Sequence, residues 1–178
     1  MTEKIIIAGE GGQGIMLLGK VMAEAAMREN KFVTWLPAYG AEVRGGVAYC
    51  MVIISDEDIG SPYINKANTL IILNQPSFIR FKNRLASKGL FILNSSLVKT
   101  DFKQSKQIVV QPFTDIAARL GNLKVANTVA LGVYLTKNKI LNPKTIFQVM
   151  EDFAPKNRPE LIEINKQAFT QGTALVKK

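Results

Sequence analysis

The stretch Lys4-Ile5-Ile6-Ile7-Ala8-Gly9-Glu10-Gly11-Gly12-Gln13-Gly14-Ile15 decides the fold. After Lys4 it is a short, wholly apolar run rich in β-branched side chains, the composition of a strand covered on both faces, as in a parallel sheet. Glycines follow. Beyond them Ile15, Leu18, Val21, Met22, Ala25 and Ala26 recur at helical spacing, with Lys20/Glu24 and Glu24/Arg28 one turn apart on the polar side. Phe32-Val33-Thr34-Trp35-Leu36 then reads as a second strand and completes a βαβ unit of about 30 residues.

Working outward, Pro37 is expected to stop that second strand, and residues 37–46 to form a glycine-rich loop. Further strands are predicted over Val47–Ser55, closed by the turn Asp56-Glu57-Asp58, and over Thr69–Leu73, Leu90–Asn94 and Gln107–Gln111. Pro76–Ser87 is expected to be helical. After Pro112 the pattern turns helical throughout, over Thr114–Leu120, Ala126–Thr136, Pro143–Phe153 and Pro159–Gln171, with Pro143 and Pro159 suited to first-turn positions. There is no internal repeat, low-complexity tract or linker. The expected architecture is α/β: a single Rossmann-like three-layer domain over residues 1–178, with a mainly parallel sheet and a helical C-terminal part.

Composition narrows the chemistry. The 178 residues contain no histidine and one cysteine, Cys50. That excludes Ser-His-Asp and Cys-His nucleophile pairs, His-ligated zinc and an imidazole base. One thiol holds no intramolecular disulfide and no iron–sulfur cluster, which takes about four thiolates. Reactive groups for redox or acyl-transfer chemistry would have to come from elsewhere. No apolar run approaches the roughly 20 residues of a membrane span, and the N-terminal residues lack the apolar core of a signal peptide, so the expectation is a soluble, cytoplasmic protein with no membrane role. The net charge of +9 is uneven: residues 1–98 carry 10 basic and 8 acidic side chains, residues 99–178 carry 13 and 6. A basic second half suits nucleic acid, an acidic protein or a phosphorylated ligand, but the lysines are scattered, as on a solubilising surface.

Two loops carry the functional signal. Gly9, Gly11 and Gly14 fit G-x-G-x-x-G between a strand and a helix, where glycines admit a close ligand and the unpaired N–H groups at the helix start favour an anion. Trp35 and Leu36 stand where an acid would grip an adenosine ribose, which disfavours an ordinary NAD site, and no Gly-Lys-Ser/Thr makes it a Walker loop. A tight turn required only for packing is the alternative. In the second loop, Tyr39-Gly40-Ala41-Glu42-Val43-Arg44-Gly45-Gly46, Arg44 is a planar donor with room for a carboxylate or phosphate, unless Glu42 pairs with it internally. Asn127 stands at a predicted helix start, where it caps the helix with or without touching a ligand. Cys50 and Met16, Met22, Met27 and Met51 read as core, and Asp56-Glu57-Asp58 as a solvated turn.

Taken with Asn127-Thr128-Val129-Ala130-Leu131-Gly132 and with Pro159, Asn165, Ala168, Phe169 and Gly172, these motifs resemble the gamma subunit of 2-oxoacid:ferredoxin oxidoreductases over essentially the whole chain. Tyr-Gly-x-Glu-x-Arg-Gly-Gly is their most specific element, and its Ala41 form is closer to the 2-oxoglutarate branch or its branched-chain relatives than to the pyruvate branch. The resemblance implies one part of an enzyme that oxidatively decarboxylates a 2-oxoacid, forms an acyl-coenzyme A and reduces ferredoxin. It implies alpha, beta and probably delta subunits as partners, with thiamine diphosphate and iron–sulfur clusters held in those chains. It further implies a coenzyme A surface here formed by Gly11, Gly12, Gln13, Gly14, Glu42, Arg44, Gly45 and Asn127, with no catalytic residue and no metal ligand. A free-standing Rossmann-type oxidoreductase and a basic nucleic-acid binder remain as alternatives, the latter without a recognised motif.

Overall fold

The computed structural model describes residues 1–38, 47–155 and 157–176. In chain order its elements are β1 (Thr2–Glu10), α1 (Ile15–Arg28), β2 (Phe32–Ala38), β3 (Val47–Ser55), β4 (Ala67–Ile72), α2 (Gln75–Phe81), β5 (Leu85–Asn94), β6 (Ile108–Gln111), α3 (Phe113–Arg119), α4 (Ala126–Lys137), α5 (Pro143–Phe153) and α6 (Glu160–Ala174). Strands come early and helices late, as the periodicity predicts.

The six strands form one sheet in the order β2-β3-β1-β4-β5-β6. The β1–β4, β4–β5 and β5–β6 pairs are parallel, and β1–β3 and β3–β2 are antiparallel. The expected βαβ unit is therefore interrupted: β2 runs in the direction of β1 but lies two strands away, with β3 between them. The reason is burial. β3 is buried at eight of its nine positions, which demands a central place, whereas β2 is only partly buried. Pro37 does not stop β2, as expected, but lies within it, opposite Cys50. An edge strand tolerates that proline because its missing N–H costs no ladder bond on the open side.

Successive side chains of the strands divide between two cores, as the alternation of a strand requires. Ile5, Ile7, Val52 and Ile54 face α1, α3, α4, α5 and α6, while Ile6, Ala8, Met51 and Ile53 face a second cluster with Phe78 and Phe81 of α2. Three layers are present, but the outer layer on the second face is thin, one two-turn helix supplemented by Ile64 and Val98 from connecting segments. Met22 and Met51 are core as expected; Met27 is not, being 60% exposed at the end of α1.

The predicted helix over Pro76–Ser87 is shorter than its pattern. It ends at Phe81, a 3-10 turn covers Lys82–Arg84, and Leu85–Ser87 already belong to β5. Between the pairs Ala67–Leu85 and Thr69–Leu90, β5 advances five residues while β4 advances two, so three extra residues bulge out of β5. Lys88, within that bulge, adopts a left-handed conformation (φ 64°). On the other side of the sheet α4 and α6 meet at Gly132 and Gly172. A Cβ on either would collide with backbone of the facing helix, at Phe169 and Val129 respectively. The glycines are what let these two helices touch.

Candidate functional site

The glycine loop joins the C-terminal end of β1 to α1 at the centre of the sheet. Gln13 folds back on it: its backbone N–H donates to the Glu10 carbonyl at 3.1 Å, and its side-chain Oε1 accepts from the Glu10 N–H at 2.8 Å. Gly14 caps α1 with φ 72°, a left-handed conformation that glycine adopts without cost, and no side chain caps the helix. Gly12 is also left-handed, at φ 93°. A Cβ placed on Gly11 or Gly12 would meet nothing within 4 Å, so the loop presents bare backbone to open space. Uncapped N–H groups and the positive end of the α1 dipole make this an anion-favouring concavity.

Asn127 holds the loop from the side. Its Nδ2 donates to the Gly14 carbonyl at 3.1 Å and its Oδ1 accepts from the Thr128 N–H at 2.7 Å. Asn127 is thus not the helix cap expected from its position, because the residue preceding α4 is Val125 and Asn127 lies inside the first turn. It does satisfy one of the unpaired N–H groups of that turn, which is the physical purpose of a cap. The Thr128 hydroxyl in turn lies 2.6 Å from Oδ1 of Asn165 on α6.

Beside the loop lies a cavity of about 240 Å³ between α1, α4, α5 and α6. Leu18, Val21, Met150, Phe153 and Leu161 supply apolar wall, and Lys124 and Asn122 are polar groups near Asn127. A glycine cradle that opens into an apolar cleft suits a ligand with an anionic part and a slender apolar part. Of the residues expected at a site, Gly11, Gly12, Gln13, Gly14 and Asn127 come together here. Glu42, Arg44 and Gly45 lie outside the described residues; Val47, which follows them, pairs with Glu10 of the loop. The cleft walls on α5 and α6 were not apparent in the sequence, since four remote segments meet there. Lys124, one turn before Asn127, was the available signal.

Cys50 is fully buried under α1, its thiol 3.5 Å from the Ile15 carbonyl, and burial pushes its pKa up to about 12. It is a packing group, not a nucleophile. Asp56 pairs with Lys31 at 2.8 Å in an exposed turn. Among the described residues, no group of three acidic or sulfur side chains is placed to hold a metal ion, and no helix is long and apolar enough to cross a membrane.

The doubly covered sheet and the open glycine loop on its central strand define a Rossmann-like α/β domain with an anion-favouring ligand cleft. The chain belongs to the pyruvate ferredoxin/flavodoxin oxidoreductase family, whose pattern matches residues 4–175. It is 33% identical over 169 residues to the ketoisovalerate oxidoreductase subunit VorA of Methanothermobacter thermautotrophicus, covering 95% of this chain but only 35% of that protein. It is 33% identical over 181 residues to the 2-oxoglutarate synthase subunit KorC of Methanocaldococcus jannaschii, covering 99% of this chain and 95% of that one. Among solved structures, the keto/oxoacid ferredoxin oxidoreductase gamma subunit of Geobacter sulfurreducens superposes with a TM-score of 0.81 at 27% identity, over 97% of both chains. The 2-oxoglutarate:ferredoxin oxidoreductase of Magnetococcus marinus, with 2-oxoglutarate, coenzyme A and succinyl-CoA bound, superposes with a TM-score of 0.85 at 25% identity; 99% of this chain matches 31% of that one.

Proposed function

We propose that this chain is the gamma-type part of a 2-oxoacid:ferredoxin oxidoreductase and that its glycine loop and cleft receive coenzyme A. One observation carries the reading: Gly11 and Gly12 expose backbone to open space at an uncapped helix start, next to an apolar cleft. The residues fit the ligand. Phosphates suit the free N–H groups, and a pantetheine arm suits the cleft wall. Support comes also from the Magnetococcus relative, which was solved with coenzyme A bound.

When bound, coenzyme A supplies the thiol that accepts the acyl group. This chain's own contribution is to bind and orient. The loop backbone donates to the phosphates, Asn127 and Gln13 hold the loop in shape, and Arg44, between Glu42 and Gly45, adds a fixed positive charge. Decarboxylation and electron transfer fall to partner chains carrying thiamine diphosphate and iron–sulfur clusters, in alpha-, beta- and delta-type subunits, with ferredoxin as acceptor and the cytoplasm as the setting. The absence of histidine and the inert Cys50 accord with that division.

The decisive variant is Gly11→Val in the assembled complex. Gly11 has no left-handed φ and an added side chain meets only the space assigned to the ligand, so the fold should tolerate it. We expect the Michaelis constant for coenzyme A to rise about tenfold, the cost of losing one charge-assisted contact. An unchanged constant in a normally assembled complex refutes the coenzyme A role.

A further inference from the structure

The bulge of β5 shapes a second cavity, of about 310 Å³, beside the N-terminal ends of the parallel strands, the end of the sheet opposite the glycine loop. Glu3 of β1 lines it at 7% exposure, and its Oε1 accepts from the Thr69 hydroxyl at 2.7 Å. Burial raises the Glu3 carboxyl above its ordinary range. Three lysines complete the charged lining: Lys88 in the bulge, Lys106 ahead of β6 and Lys137 at the end of α4. All three are exposed, and none has a salt-bridge partner among the described residues.

Separate positions in the sequence hide this cluster, and the fold creates it. Three lysines thus border one concavity that holds a single carboxylate, Glu3, an excess of positive charge that favours an anion. A solubilising surface disperses its lysines instead. The bulge is the device that sets Lys88 there: three residues leave the ladder, and Lys88 takes a backbone conformation that lysine seldom adopts. Side-chain amides of Asn68, Gln107 and Asn138 also border it, Gln107 Nε2 donating to the Lys88 carbonyl at 3.3 Å and the Asn138 side chain bonding to Glu3.

We propose that this cavity binds a small polyanion of the phosphate class, paired with Lys88, Lys106 and Lys137. A phosphate or diphosphate carries the two or more charges and the several acceptor oxygens that three unpaired ammonium groups require. The volume lies at the lower end of the range for small-molecule sites, roughly 300–1,000 Å³. Because the glycine loop is at the other end of β1, the two sites are separate, and a polyanion here does not compete with a ligand there.

The test is nuclear magnetic resonance titration of the full chain with inorganic diphosphate at constant ionic strength, with adenosine diphosphate in a parallel arm. Amide shifts at Lys88, Gly89, Gln107 and Asn138 are expected, with tighter binding in the nucleotide arm marking a nucleotide and equal binding marking the phosphate group alone. Lys106→Ala with Lys137→Ala, both at exposed positions, should lower diphosphate affinity by at least about tenfold. Lys88→Asn, which keeps a residue at ease in the left-handed conformation, should weaken it likewise. Shifts confined to Gly11–Gly14, or an unchanged affinity in the lysine variants, overturn the assignment. A response to an oligoglutamate peptide without one to diphosphate also overturns it, reassigning the surface to an acidic protein.

Discussion

The side-chain amide of Asn127 donates to the backbone carbonyl of Gly14 at 3.1 Å, tying the first turn of α4 to the glycine that starts α1. Two residues 113 apart in sequence thereby set the shape of one loop. Asn127→Ala removes this donor and the acceptor of the buried Thr128 N–H, leaving that N–H unpaired while the Gly14 carbonyl keeps the Leu18 N–H. The cost should be about 1–3 kcal/mol, read as a lowered denaturant midpoint in the free chain. If Asn127 served only a ligand, the midpoint would stay where it is.

The glycines of the loop should separate by role. Gly14→Ala meets both the strained φ and a collision with the Asn127 side chain, whereas Gly12→Ala meets the φ alone and Gly11→Ala neither. Stability losses of roughly 2–3, 1 and 0 kcal/mol are expected in that order. Equal losses at all three positions would mean that the loop is shaped by something other than these contacts.

At the α4–α6 crossing, Gly172→Ala places a methyl group against the Val129 carbonyl, and neither helix backbone can yield without losing its packing. A loss of about 3 kcal/mol, or failure to fold, is expected. Thermal denaturation of Gly172→Ala beside the exposed-surface control Gln167→Ala distinguishes this crossing from a general sensitivity of α6.

Two carboxyls give opposite pH dependences. The Glu3 carboxyl is raised above 4.5 in the folded chain by burial, so the folded state holds its proton more tightly. Stability therefore falls as pH rises from the ordinary carboxyl range through the raised value. Asp56 is lowered from 3.8 to about 2 by Lys31, so its contribution is present above 3.8 and is lost as pH falls toward 2. Denaturation midpoints against pH should lose their upper decline in Glu3→Gln and their lower decline in Asp56→Asn. A Glu3→Gln profile parallel to that of the parent chain contradicts the first assignment.

Cys50 should resist thiol reagents in the folded chain and react on unfolding, because both its burial and its raised pKa suppress the thiolate. Labelling with iodoacetamide in buffer and in denaturant measures this directly. Rapid labelling in buffer would place the thiol nearer solvent than β3 allows.

Much of the fold was legible because local chemistry and tertiary role coincide in it. Ile5 to Ala8 are apolar on both faces and do divide between two cores, and Pro143 does stand in the first turn of α5. The glycine fingerprint was legible because its residues are contiguous and join β1 directly to α1. What failed depends on neighbours. β3 displaces β2 from β1 because it is the better-buried strand, a comparison between segments that no single window contains. Leu85–Ser87 continue a helical-looking stretch but are drawn into β5 by pairing with β4. The cleft beside the loop and the three-lysine cavity are both made by segments far apart in the chain, and so leave no motif.

The contact of Gly132 with Gly172 has a mechanical consequence. It fuses α4 and α6 into a single stiff plate, and Asn127 rivets that plate to the glycine loop. Among the described residues, α5 is tied to its neighbours in part by exposed ion pairs, Arg28 of α1 with Asp152 and Lys166 of α6 with Glu151. Such pairs hold by about 1 kcal/mol or less each. α4, α6 and the glycine loop thus form one braced body, and α5 is the wall that surface charge helps to hold against it.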